Sequence, residues 1–456
     1  MFVRLSLIFA VWSAAACGAA ESPPPAGPAA AAGPAATVAS TAGQPGADPV
    51  RLGVYRTRIE RELRSDILPF WLAHARDREH GGFFGEISRD LTVKKNAPRG
   101  ALIPARVLWT YSAAYRRYGD PAYLEMARWA YDDLLKHFWD KNDGGLYWSI
   151  TADGQPLETE KELYIQSFGI YGLSEYYRAS GDPAALKQAI ELYRLVETHC
   201  RDRTHGGYFE GFKRDWTLQT KLSRTHMNAM GLKSQNTHLH LMEAYTNLLR
   251  AWPDPELRGN LHDLVEVVMT RILNPANHHL WLFLDADWKP RTDVISFGHD
   301  IELSWLLPES AEVLGDPALV VRARAAALAT ARATLKEGVD ADGGLLSEAG
   351  PRGLTNTTKE WWQQCEATTG FFNPFQLSGD ARYLQASLHC WDFIETHMVD
   401  RKNGEWYRAL NRNGSIPRYQ PKVSFWKCPY HNGRVCMEML DRIAAVLGTT
   451  AAPTAH

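Results

Sequence analysis

Apolar residues recur at three- and four-residue spacing through Ile103 to Tyr118, Tyr123 to Trp139, Ile165 to Ala179, Ala184 to Cys200, Thr237 to Ala251 and Leu257 to Leu273. That spacing predicts long helices, each with an apolar face to bury. Between them the sequence Gly-Asp-Pro, or a variant, recurs: YGDPAYL from Tyr118, SGDPAAL from Ser180, WPDPELR from Trp252, LGDPALV from Leu314 and SGDARYL from Ser378. Glycine ends a helix in the left-handed conformation, aspartate caps the next and proline fits its first turn, so each is a helix-to-helix corner.

A second marker alternates with the first. DREHGGFFGEI from Asp77, DKNDGGLYWSI from Asp140, DRTHGGYFEGF from Asp202 and DADGGLLSEAG from Asp340 each place a turn before a short strand-like run. NHHLWLFLDAD from Asn277 and DRKNGEWYRAL from Asp400 are degenerate copies, which makes six. The repeat length is roughly 60 to 75 residues, room for two helices per unit. Six helical hairpins closed in a ring bury every unit's apolar face against its neighbours, so the expected fold is all-α, an (α/α)6 barrel over residues 50–447 with a pocket at one mouth.

Composition narrows the ligand. Fifty Lys plus Arg against 52 Asp plus Glu give a formal charge of −2, so no field favours nucleic acid or an acidic membrane. Sixteen tryptophans supply flat apolar platforms with a polar edge, which suit sugar rings.

At the amino terminus Arg4 precedes an apolar run from Leu5 to Trp12, then small residues and Cys17. That run is too short for a permanent span and reads as an export signal over residues 1–17. Ala-Ala-Ala-Cys-Gly resembles a bacterial lipoprotein box with Cys17 acylated, the one membrane attachment expected; a plain secretory signal is the alternative. Residues 18–49, rich in Ala, Pro, Gly, Ser and Thr, form a disordered tether, and residues 448–456 a disordered tail. Five further cysteines with no C-x-x-C spacing argue against a disulfide framework or a structural zinc site.

The stretch SFGHDIELSWLL, Ser296 to Leu307, places His299, Glu302 and Trp305 three residues apart on a slanting helical stripe. A base, a carboxylate to orient it and a flat wall would then share one edge of a cavity.

Five motifs in order carry a resemblance: ARVLWTYSAAYRRYGD (Ala105 to Asp120), LKSQNTHLHLMEAYTNLLR (Leu232 to Arg250), SFGHDIELSWLLPE (Ser296 to Glu309), KEWWQQCEA (Lys359 to Ala367) and KCPYHNGR (Lys427 to Arg434). With them the chain from about Arg56 to Leu447 resembles the cellobiose 2-epimerase branch of the N-acylglucosamine 2-epimerase superfamily. The resemblance implies an (α/α)6 barrel and cofactor-free, metal-free interconversion of glucose and mannose configurations at the reducing end of β-1,4-linked disaccharides.

Inverting C2 of an aldose removes a proton beside a carbonyl and returns it on the opposite face of an enediolate. Two acid/base groups must flank that plane, and histidine titrates in the right range. His299 is one candidate, with Glu302 placed to accept its second N–H. His431 is the other, on a loop indicated by Pro429 and Gly433. The resemblance implies the same pair. Asn236 and His240 share a helix face, while His238 points away and is expected to be packed or solvated. The resemblance implies that His240 is the ring-opening acid/base, Asn236 a hydroxyl-binding amide, Arg106 the enediolate-stabilising cation and Tyr164 a pocket residue. It also marks Trp361, Trp362 and Glu366 as functional. Trp305, Trp362 and Trp426 are expected as stacking walls, and Glu366 as a holder of hydroxyls or of a neighbouring group. His205, His278 and His279 fall in repeat turns and read as solvated.

Three alternatives stay open: an N-acylglucosamine 2-epimerase or aldose-ketose isomerase acting on a monosaccharide, a glycoside hydrolase using Glu302 and Glu366, and an inactive sugar-binding module. A metal held by His238, His240 and Cys428 or Cys436 is disfavoured by helix geometry. The preferred disaccharide and the oligomeric state are not readable.

Overall fold

Each Gly-Asp-Pro corner folds as its chemistry requires. The computed structural model describes residues 47–220 and 231–449. The helices are α1 (Pro49–Glu62), α2 (Leu68–His74), α3 (Leu102–Tyr118), α4 (Pro121–Asp133), α5 (Leu163–Ser180), α6 (Pro183–His199), α7 (Gln235–Ala251), α8 (Pro255–Val267), α9 (Phe297–Leu314), α10 (Pro317–Glu337), α11 (Trp361–Ser378), α12 (Ala381–Phe393) and α13 (Tyr430–Leu447). Gly119 closes α3 at φ 67°, where a β-carbon would be strained, and Asp120 caps α4 by accepting the Ala122 N–H at 2.9 Å. Asp182, Asp254, Asp316 and Asp380 cap α6, α8, α10 and α12 the same way. A single wide π turn, Leu63–Ile67, joins α1 to α2.

Alternate helices form the inner wall. Helices α3, α5, α7, α9, α11 and α13 contact one another in that order, and α13 returns to α3, closing the ring. The partners α4, α6, α8, α10 and α12 pack outside, with α1 against α13. This is the (α/α)6 barrel that the repeats predict. Inner helices are buried almost all round, as a helix between two layers must be, whereas the outer ones bury a stripe.

The six aspartate-type turns fix where the inner helices begin. Asp77, Asp140, Asp202 and Asp400 hold the turn by accepting backbone N–H groups two and three residues on. In five turns the aspartate also pairs with a buried cation. The pairs are Asp77–Arg99 (2.6 Å), Asp140–Lys161 (3.0 Å), Asp202–Lys233 (2.8 Å), Asp340–Lys359 (2.9 Å) and Asp400–Lys422 (2.9 Å). Each of the first four cations precedes an inner helix, so the ion pair ties the exit of one outer helix to the start of the next inner one. In the fourth repeat Asn274 and Ile295 take the two positions. Both charges are lost together, which spares the fold an unpaired buried ion. The expected strand-like runs are antiparallel ladders of two to four residues beside these turns.

The turn histidines divide. His205 and His278 are exposed, whereas His279 is 2% exposed and its Nδ1 lies 2.7 Å from Asp300 Oδ2, so the solvated reading fails for it. All five cysteines from Cys200 onward are buried and unbridged. No described helix is long and apolar enough to cross a membrane. Residues 1–46, with Cys17 and nearly all of the tether, and residues 450–456 lie outside the described ones.

Candidate active site

The amino ends of the inner helices converge on one cavity of about 210 Å³. Arg106 reaches it from α3, Tyr164 from α5, Asn236 and His240 from α7, His299 and Glu302 from α9, Trp361 and Trp362 from α11, and His431 from α13. Trp426, Glu360 and Arg408 complete the lining. Helix amino termini carry partial positive charge, so six of them bias this mouth toward an anion.

His431 is fixed from behind. Its Nδ1 donates to Glu366 Oε1 at 2.7 Å, and a carboxylate can only accept, so the lone pair is on Nε2. Glu366 Oε2 accepts the Trp305 indole N–H at 3.0 Å. His240 is held likewise, with Nδ1 donating to Glu243 Oε2 at 3.1 Å and its ring packed on Tyr164 and Phe168. His299 differs: Nδ1 lies 2.8 Å from Ser296 Oγ, and a hydroxyl can give or take the hydrogen bond, so either tautomer is open to it. Burial lowers all three histidines, His299 to about 3 with help from His240, and His431 further through Arg106 and Arg434. All three are therefore neutral in the resting site.

Arg434 joins these groups. Its buried guanidinium donates to Glu302 Oε1 at 3.0 Å, to Glu366 Oε1 at 2.7 Å and to Glu243 Oε1, with Trp305 and Tyr430 stacked against it. Burial would raise Glu243, but Arg434 and His240 overturn that and hold it at about 2. Glu302 goes the other way: burial and the Glu366 carboxylate push it upward, and its Oε2 is buried without a partner among the described residues. Glu302 also lines the cavity.

Arg106 is 2% exposed, donates to Tyr164 Oη at 2.8 Å and packs over Phe168 at 4.2 Å. No carboxylate among the described residues neutralises it, so its fixed charge is available to the cavity. Asn236 presents a buried Oδ1 with no partner among the described residues. Trp362 stands 4.8 Å from the His299 ring and 5.8 Å from the His431 ring. It fits there because Gly298 lacks a side chain; a β-carbon would meet its ring at 2.6 Å.

Three expectations change. Glu302 does not orient His299, since Ser296 does; the carboxylate is drawn to Arg434 instead. His431 is not on a loop but is the second residue of α13, because Pro429 sits at the helix cap. Trp305 is not a wall of the cavity; it is 2% exposed and braces Glu366 and Arg434 from behind. Trp361, although only 2% exposed, lines the cavity along with Trp362. Arg434, Glu243, Glu360 and Arg408 carried no assignment from sequence. Arg434 lies within the KCPYHNGR motif, one helical turn after His431, a spacing that could have flagged it.

Glu302, Glu366 and His431 are the described residues that bring metal-type donors within 4.8 Å of one another. The Arg434 guanidinium already bonds both carboxylates, filling the role of a cation there. His238 is unavailable to a metal, since Nδ1 bonds Ser234 O at 2.7 Å and Nε2 accepts the Tyr208 N–H at 3.1 Å.

The family model described as N-acylglucosamine 2-epimerase matches residues 82–431. The chain is 42% identical over 388 residues to the cellobiose 2-epimerase of Bacteroides fragilis, covering 85% of this chain and 99% of that protein. The solved cellobiose 2-epimerase of Bacillus thermoamylovorans superposes with a TM-score of 0.81 at 36% identity, covering 86% of this chain and all of that one. The enzyme of Spirochaeta thermophila superposes at 0.79 with 40% identity, covering 86% and 98%.

Proposed function

From the premise that this chain belongs to the N-acylglucosamine 2-epimerase family, and within it to the cellobiose 2-epimerases, we propose that it inverts C2 of the reducing-end sugar of β-1,4-linked disaccharides. Cellobiose becomes glucosyl-mannose, and mannobiose becomes mannosyl-glucose. The observation that carries this reading is the convergence of three histidines on one cavity beside Arg106, a buried cation that pairs with no carboxylate among the described residues.

The chemistry follows from which nitrogen each histidine offers. His240, with Nδ1–H held by Glu243, presents Nε2 to the anomeric hydroxyl and opens the ring. His431, with Nδ1–H held by Glu366, presents a lone pair to the C2 proton, and Glu366 stabilises the imidazolium that forms. The enediolate charge is met by Arg106 and by the helix amino termini, groups already in place before the charge develops. His299 stands for the opposite face, its proton position adjustable through Ser296. In the return direction the two histidines exchange roles. Glu302 hydrogen-bonds a substrate hydroxyl through its Oε2, and Asn236 accepts a hydrogen bond from another. Trp362 and Trp426 offer flat faces to the sugar rings.

Export through residues 1–17 with acylation of Cys17 places this activity at the cell surface or in the periplasm, upstream of sugar uptake in β-mannan breakdown. Incubation in heavy water, read by NMR at C2, tests the reaction.

A further inference from the structure

Arg408 lines the cavity, yet its guanidinium makes no hydrogen bond or ion pair with any described residue, and its Nε is buried without a partner. Every other arginine at the site is engaged: Arg106 by Tyr164, Arg434 by three carboxylates. A half-buried planar fork with unmet donors, facing a cavity, is a fork waiting for acceptors.

Its position says which acceptors. The Arg408 carbonyl accepts the Trp361 N–H at 2.9 Å, and Glu360 pairs with Ala409 in the short ladder that leads into α11. Glu360 lines the same cavity, and its Oε2 accepts the Trp362 indole N–H at 3.1 Å. Arg106, His240 and His431, at 2%, 3% and 4% exposure, form the floor, whereas Arg408, Glu360, Trp362 and Trp426 are half-buried toward the mouth. A sugar reacting on the floor leaves its O4-linked neighbour only the direction of the mouth. There one cation and one carboxylate balance, so the rim suits a neutral polyol, with donors from Arg408 and an acceptor from Glu360, and disfavours an acidic sugar.

We propose that Arg408, with Glu360, binds the hydroxyls of the non-reacting sugar ring and so sets the preference for a disaccharide over a monosaccharide. This rests on the epimerase reading above and adds the residue that selects substrate length. Binding is separable from turnover by using reduced sugars, which cannot open or enolise. Cellobiitol and glucitol are titrated calorimetrically into wild-type protein, Arg408→Ala and Arg408→Lys. The ratio of cellobiitol to glucitol affinity is expected to fall about tenfold or more in Arg408→Ala and to recover partly in Arg408→Lys, whose point charge donates without the planar fork. An unchanged ratio, or a loss of glucitol affinity as large as that of cellobiitol, overturns the proposal. Because the Arg408 side chain bonds no described residue, the alanine variant is expected to melt with the wild-type protein. Failure of the epimerase reading would show separately, as wild-type protein that binds cellobiitol but exchanges no C2 proton of cellobiose.

Discussion

The Nδ1 of His431 and the Oε1 of Glu366 lie 2.7 Å apart, across 65 residues of chain, and this bond fixes which nitrogen of His431 faces the cavity. Arg434 donates to the same oxygen, and through Glu243 it reaches the partner of His240. The two carboxylate-held histidines therefore hang from one guanidinium.

Removing either partner of the His431–Glu366 bond should lower turnover with little effect on binding. His431→Ala is expected to abolish C2 exchange, and Glu366→Gln to reduce kcat by about 10²-fold or more, since an amide can stabilise the wrong tautomer and not the imidazolium. Disaccharide affinity should stay within about tenfold of wild type. Pre-steady-state exchange and calorimetric titration together check this; a kcat near wild type in either variant contradicts it.

Arg434 should matter to the fold as well as to the reaction. Arg434→Met leaves Glu243, Glu302 and Glu366 buried without their shared cation, which should cost about 3–5 kcal/mol. Glu302→Gln in that background should return part of the loss, because it removes one of the three carboxylates. Chemical denaturation of the single and double variants measures both.

His238 should contribute to acid sensitivity. It is fully buried between Ser234 and Tyr208, and burial lowers it to about 4. Its folded value lies below the unfolded one, so as pH falls below about 6.5 the unfolded chain takes the proton first and stability drops until about pH 4. His238→Gln should flatten the decline of melting temperature over that window. An unchanged slope contradicts the assignment.

Export is tested by fractionation. The wild-type chain should partition with membranes and carry a lipid, while Cys17→Ala should be released to the soluble fraction. Soluble wild-type protein favours a plain secretory signal instead.

What was legible in the sequence is what local chemistry dictates. The Gly-Asp-Pro corners and aspartate turns act within a few residues, so they gave the repeat, the helix pairs and the closed ring. Asn236 and His240 share a face by helical period alone, and they do line the cavity. The carboxylate partners were not legible from spacing. Glu302 stands three residues after His299, yet it turns to Arg434, 132 residues away, the buried guanidinium that it shares with Glu243 and Glu366. Trp305 likewise follows its hydrogen bond to Glu366 rather than the sugar. His279 looked like a solvated turn because its partner, Asp300, sits on α9, 21 residues on.

The central claim is proton exchange at C2 by paired histidines without bond cleavage. Cellobiose incubated with the protein in heavy water and followed by NMR tests it most directly. The account predicts deuterium at C2 of the reducing-end sugar, appearance of glucosyl-mannose and no free monosaccharide, with exchange lost in His299→Ala and His431→Ala. Release of glucose, or epimerisation without deuterium at C2, would contradict it.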